Sequence, residues 1–174
     1  RNESSAASDV YKRQINTTDT GSGFDLDASV FMLGNNGKIP AEQYFVFYNN
    51  LTSPDGSVQH SGDSRTGEGS GDDELIQIDL AKVDQVIQEV LFVVTIHEAD
   101  ARRQNFGQVR NSFIRIYDTT TELEIAKYEL EEDFSRETAL EFGRLYRKDN
   151  DWRFQAVGQG YNSGLQGFVD KYAS

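Results

Sequence analysis

The chain has 174 residues, enough for one domain with a core of its own, and carries 29 acidic against 17 basic side chains, a net charge of -12. That field repels phosphate backbones and anionic lipid surfaces, which disfavours nucleic acid and direct membrane insertion and leaves cations as natural ligands, although solubility explains the charge equally well. No cysteine is present, which removes a disulfide framework, a thiolate metal site and a cysteine nucleophile and fits a reducing cytoplasm; the longest apolar run, Val90–Ile96, falls far short of the roughly 20 residues that span a bilayer.

The chain opens on RNESSAASDVYKRQ, residues 1–14, which has no periodicity. Its Asp9–Gln14 part, DVYKRQ, looks like one reading frame of a transposon-end sequencing adapter. Residues 1–22 are therefore read as a non-native or disordered tail, with a cloning or assembly scar up to residue 14, and the domain as 23–174. An unpacked segment is expected up to about Gly23.

From Phe24 the pattern has period two: Phe24, Leu26, Ala28, Val30 and Met32 alternate with Asp25, Asp27, Ser29 and Phe31. Asn35–Lys38 then suits a tight turn, and the aromatic, β-branched run Tyr44–Tyr48 suits a buried strand. A long irregular stretch follows from Asn49 to about Asp73, and loops of that length in a compact domain are usually functional or disordered. Further strands are expected at Leu75–Leu80, Val90–Ile96, Ser112–Tyr117, Glu124–Leu130, Thr138–Tyr146 and Trp152–Gly158, the last two joined by the polar turn Lys148–Asp151. Glu98–Gln104 and Leu165–Tyr172 suit short helices, and Ala81–Glu89 is either a helical turn or a connector. About eight strands with no long helix between them argue for an all-β, two-sheet β-sandwich, jelly-roll-like, with short helical segments. Trp152, Phe154, Tyr146 and Tyr161 are expected as core or cross-strand residues rather than a ligand platform.

The chemistry concentrates in Gly62–Glu74, GDSRTGEGSGDDE. Asp63, Glu68, Asp72, Asp73 and Glu74 share this stretch with four glycines and one compensating Arg65. Clustered carboxylates repel unless a cation neutralises them, and hard oxygens on a flexible backbone suit calcium. Asp63 to Glu74 has the span of an EF-hand loop. Yet Arg65 and Glu68 stand where that loop needs a ligand and a glycine, and no amphipathic helices flank it. Asp25 and Asp27 share one strand face, and Asn49 and Asn50 add amide oxygens, so the strand and the loop are expected to converge on one or two cations. Zinc is disfavoured, because the chain has only His60 and His97, both read as ordinary polar residues. The bland alternative is a solvated acidic turn. Another is a metal-independent interaction scaffold that docks a basic partner on the loop. A paired-carboxylate hydrolase needs an apolar cleft that a glycine loop does not offer.

DLDAS at Asp25–Ser29, FYNN at Phe47–Asn50 and DGSVQHSGDSRTGEGSGDDE at Asp55–Glu74 resemble the TerD family of tellurite-resistance and stress-response proteins. The likeness continues through VTIHEADARRQNFGQVRNSFIRI at Val94–Ile116, EIAKYEL at Glu124–Leu130, ETALEFGRLYR from Glu137 and WRFQAVGQGY ending at Tyr161. It implies a bacterial, cytoplasmic, calcium-binding β-sandwich without known catalytic activity, acting with other proteins of a stress-response complex. Carried over by position, it makes Asp25, Asp27, Asp63, Asp72, Asp73 and Glu74 calcium ligands, with Asn49, Asn50 and Glu68 as weaker ones. Ser64 stands where the family more often has Asn. The family's strand segment before DLDAS is replaced here by the suspect tail, so the domain is expected to lack one or two strands.

Overall fold

A computed structural model describes residues 3–5, 10–16, 26–60, 74–96, 103, 105–108, 113–118, 124–129, 134, 136–149, 151–162 and 164–173. Residues 3–5, 10–16, 26, 74–75, 108, 113–118, 124–127 and 129 are described by their backbone alone. The strands are β1 (Glu3–Ser5), β2 (Val10–Asn16), β3 (Leu26–Leu33), β4 (Phe45–Val46), β5 (Val58–His60) and β6 (Glu74–Asp79). They continue with β7 (Glu89–Ile96), β8 (Phe113–Asp118), β9 (Glu124–Glu129), β10 (Ala139–Lys148) and β11 (Asp151–Tyr161), and the α-helix among the described residues is α1 (Leu165–Tyr172). They form two fully antiparallel sheets, β1-β11-β10-β7-β3-β4 and β5-β6-β2-β8-β9. The expected two-sheet all-β fold is therefore what the chain adopts.

The main core lies on the inner face of the six-stranded sheet. Ala28, Val30 and Met32 of β3 meet Val90, Phe92 and Val94 of β7 there, together with Ile76 and Ile78 from β6. Period two alone would leave the other face of β3 to solvent. Instead Phe31, Leu33, Leu91 and Val93 form a second buried cluster under Phe168 of α1. Phe31 stacks on Phe45 with ring centroids 4.4 Å apart, and Phe45 stacks on Phe47 at 4.3 Å. The helix thus turns a half-exposed strand into one buried on both faces, which explains why β7 reads as an unbroken apolar run.

Several boundaries depart from expectation. The aromatic run Tyr44–Tyr48 is not one strand. Glu42–Tyr44 form a 3-10 turn, Phe45–Val46 pair with β3, and Phe47 and Asn50 exchange backbone hydrogen bonds around a two-residue turn. Asn50 Nδ2 fixes this bend by donating to the carbonyls of Gln43 at 3.0 Å and Phe45 at 2.8 Å. The Ala81–Glu89 connector begins with a 3-10 turn at Leu80–Lys82, capped by the Asp79 carboxylate. The expected helix at 98–104 lies largely outside the described residues. The turns at Gly37 (φ 75°) and Asp149 (φ 54°) sit where the sequence reading puts them.

The largest departure is at the start of the chain. Residues 1–22 are expected to be unpaired, yet Val10–Asn16 pair with β6 on one side and β8 on the other, and Glu3–Ser5 pair with β11. Among the described residues, β2 thus occupies the place between β6 and β8 in the five-stranded sheet. Main-chain pairing does not depend on side-chain polarity, and the unused N–H and C=O groups along β6 and β8 accept any extended segment in register. Val10, Tyr11 and Ile15 supply β-propensity to a segment otherwise polar at Lys12–Gln14.

Candidate functional site

One end of the sandwich gathers the segments singled out from sequence. Strand β3 begins there, with Leu26 opposite Ile96 and Asp27 opposite Thr95 of β7. Strand β4 runs antiparallel to β3, so chain leaving Val46 heads toward the Asp27 end and reaches the Phe47–Asn50 turn. Strands β5 and β6 form a hairpin in which His60 faces Ile76, so its loop, 61–73, starts beyond His60 and rejoins the sheet at Glu74. Glu74 in turn faces Ile15 of β2.

Hydrogen bonds tie these segments together. The His60 ring is buried, 6% exposed, with Nε2 3.0 Å from the carbonyl oxygen of Ala28, next to Asp27. The His60 backbone N–H donates to Leu51 O at 2.7 Å, just past the Phe47–Asn50 turn. His60 is therefore a structural tie between the root of the glycine loop and the start of β3, not the ordinary polar residue read from sequence. The signal was present in VQH, where buried Val58, exposed Gln59 and buried His60 keep period two.

The turn ahead of β5 is built around Asp55. Its Oδ1 accepts from the hydroxyls of Ser53 and Ser57, both at 2.6 Å, and from the Ser57 N–H at 2.9 Å. Its Oδ2 accepts from the Asp84 N–H at 2.9 Å. Burial pushes the Asp55 carboxyl up, but the hydrogen bonds from Ser53, Ser57 and Asp84 outweigh it and hold the group below the usual aspartate range. Gly56, with φ 75°, makes the turn possible.

Of the expected ligands, Asp27 is 5% exposed at the start of β3. Asn49 is exposed at the tip of its turn, and Asn50 is half-buried, its amide nitrogen committed to two carbonyls while Oδ1 meets no donor among the described residues. Glu74 opens β6, described by backbone only. Asp25, Asp63, Glu68, Asp72 and Asp73 lie outside the described residues. Among the described residues, no three His, Asp or Glu side chains group as a metal cluster. The opposite end of the sandwich is closed by Arg147, which sequence reasoning did not single out. Its Nε donates to Ile87 O at 2.7 Å and its Nη2 to Val83 O and Asp84 O, while the guanidinium lies 4.4 Å over the Trp152 ring.

A family model for the TerD domain matches residues 7–172 and so begins inside the stretch read as a tail. The chain is 55% identical over 152 residues to tellurium resistance protein TerD of Serratia marcescens, covering 87% of this chain and 79% of that one. It is 49% identical over 157 residues to general stress protein 16U of Bacillus subtilis, covering 90% and 81%. In fold it is similar to a solved TerD homologue of Streptomyces coelicolor A3(2), with a TM-score of 0.79 at 22% identity over 94% of this chain and 96% of that one. The sheets, the loop-bearing hairpin and these matches agree, and the chain belongs to the TerD domain family.

Proposed function

We propose that this chain is a calcium-binding, non-catalytic module of the tellurium-resistance and stress-response type, working in the cytoplasm with protein partners. The observation that carries the reading is the convergence at one end of the sandwich. The loop holding Asp63, Glu68, Asp72 and Asp73 leaves the sheet at His60, and His60 is hydrogen-bonded beside Asp27. Asp27 is buried next to the residue that His60 holds, and the ligand set expected from the sequence is all hard oxygen, which suits calcium better than a soft metal. Asp25, Asp27, Asp63, Asp72, Asp73 and Glu74 would hold the ion, with Asn49, Asn50 and Glu68 contributing more weakly. Bound there, calcium supplies charge neutralisation and ordering of the loop, which would make this end of the sandwich a calcium-dependent docking surface. The names of the relatives, tellurium resistance protein and general stress protein, support the cellular role. Among the described residues no helix is long and apolar enough to cross a membrane.

Calorimetric titration with calcium, wild type beside Asp72→Asn, tests this. Saturable heat in the wild type that is weakened in the variant supports it. Equal or absent heat in both overturns it, and partner capture that survives chelator would then favour the metal-independent scaffold.

A further inference from the structure

Away from the loop, the outer face of the six-stranded sheet holds a cavity of about 370 Å³ beside the end of α1. Its shape comes from a β-bulge. Leu140, Phe142 and Leu145 of β10 all point into the main core, so strict alternation breaks between Phe142 and Leu145. The pairing of β10 shifts register at the same place, between Glu141 and Gly143, against both β7 and β11. There β10 carries one extra residue against β7, and β11 one extra residue against β10, and Glu141 and Arg144 both line the cavity on the outer face.

The two side chains are held but not saturated. Glu141 is 6% exposed, and its Oε1 accepts from Tyr172 OH at 2.9 Å, Tyr161 OH at 3.1 Å and Lys171 Nζ at 3.4 Å. Burial, with the Glu141 charge adding to it, pushes the Tyr172 hydroxyl up to about 12, so it remains a donor at neutral pH. Oε2 of Glu141 has no hydrogen-bond partner among the described residues, which leaves half of a buried carboxylate's acceptor capacity unused. Arg144 donates through Nε to Gln155 Oε1 and through Nη1 to Glu89 Oε1, both at 2.8 Å, and its Nη2 has no partner among the described residues. The aliphatic part of the lining is Leu33 and Leu91, both buried, with Ala156 and Val157, the last 36% exposed.

We propose that this cavity binds a small zwitterion with an aliphatic body, a free aliphatic α-amino acid. Its ammonium meets Glu141 Oε2, its carboxylate meets Arg144 Nη2, and its side chain covers Leu91 and Val157. Charge decides the class. Two carboxylates, Glu89 and Glu141, are balanced by Arg144 and Lys171, so the site favours neither a simple anion nor a simple cation. Size limits it too, since the volume lies at the low end of the roughly 300–1,000 Å³ typical of ligand pockets.

The test is a methyl NMR titration with L-leucine in the presence of chelator, which separates it from any calcium effect. Isoamylamine and isovalerate serve as single-charge controls. Saturable shifts at Leu33, Leu91 and Val157 are expected with L-leucine, with each control at least about tenfold weaker. Val157→Trp, which fills the rim from an exposed position, abolishes the shifts while the remaining methyl spectrum is unchanged, and Glu141→Gln weakens binding by at least about tenfold. No saturable shift up to about 10 mM L-leucine, or undiminished binding in Val157→Trp, overturns the site. Isoamylamine binding as tightly as L-leucine overturns the zwitterion assignment.

Discussion

Gly143 and Gly160 offer a matched test of how this sandwich is packed. A Cβ added at Gly143 would lie 2.5 Å from Phe154 Cζ, 2.8 Å from Phe154 Cε1 and 2.9 Å from the Gln155 carbonyl oxygen. A Cβ added at Gly160 would also meet an atom at 2.5 Å, Cγ of Glu137. Neither glycine has a positive φ, so alanine fits both backbones, and the lost flexibility of the unfolded chain stabilises by about 0.4–1 kcal/mol in each case. The difference is what can move. Phe154 is fully buried against Phe142, and the Gln155 carbonyl is pinned in the sheet. Glu137 is a half-exposed side chain whose Cγ and Cδ can swing into water, leaving only its Cβ, 3.2 Å away, to give by a few tenths of an ångström. Overpacking of a rigid core costs about 1–3 kcal/mol, so Gly143→Ala should be destabilising by about 1–2 kcal/mol net, a fall in Tm of about 2–8 °C for a domain of this size. Gly160→Ala should stay within about 0.5 kcal/mol of wild type. Urea denaturation at constant m-value reads both. In a double-mutant cycle, the cost of Gly143→Ala should shrink by at least about 0.5 kcal/mol in a Phe154→Leu background. Equal effects at the two glycines, or strict additivity with Phe154→Leu, would refute the account of the bulge.

Two further outcomes follow from side chains already described. Arg147→Lys keeps the charge but cannot reproduce the fork onto Ile87, Val83 and Asp84, so a loss of about 1–2 kcal/mol is expected in chemical denaturation; a silent substitution would mean that this end is closed by something else. Asp55 has a folded-state pKa below its unfolded one, so its contribution is full above the unfolded aspartate value and is lost as pH falls through the folded value. Asp55→Asn should lower stability at neutral pH and flatten the acid limb of a stability-against-pH curve, and an unchanged acid limb would remove Asp55 from the explanation.

Much of the fold was legible because period-two patterning and turn residues are local. Strands β7, β10 and β11 and the helix Leu165–Tyr172 lie close to where the sequence reading puts them. What was not legible depends on contacts distant in sequence. Phe31 reads as a residue on the polar face of β3, and only the docking of Phe168 makes that face a second core. Tyr44–Tyr48 is apolar throughout, yet the Asn50 amide bends it after two paired residues. Val10–Asn16 carries too little apolar pattern to announce a strand, and its pairing with β6 and β8 joins residues far apart in sequence. At the site, the hairpin end, the Asp-x-Asp strand and the Asn turn were legible as motifs. The histidine that ties them was legible only as the second inward position of VQH, and its bond to the Ala28 carbonyl joins residues distant in sequence.

The central claim, that calcium is held at the His60–Glu74 hairpin end, is tested most directly by thermal unfolding in excess calcium and in excess chelator. At a hundred times its dissociation constant, an ion bound only by the folded state adds about 2.7 kcal/mol, or about 5–11 °C in Tm. The account predicts an upward shift of that order with calcium, reduced in Asp72→Asn. Superimposable melts with calcium and with chelator would contradict it.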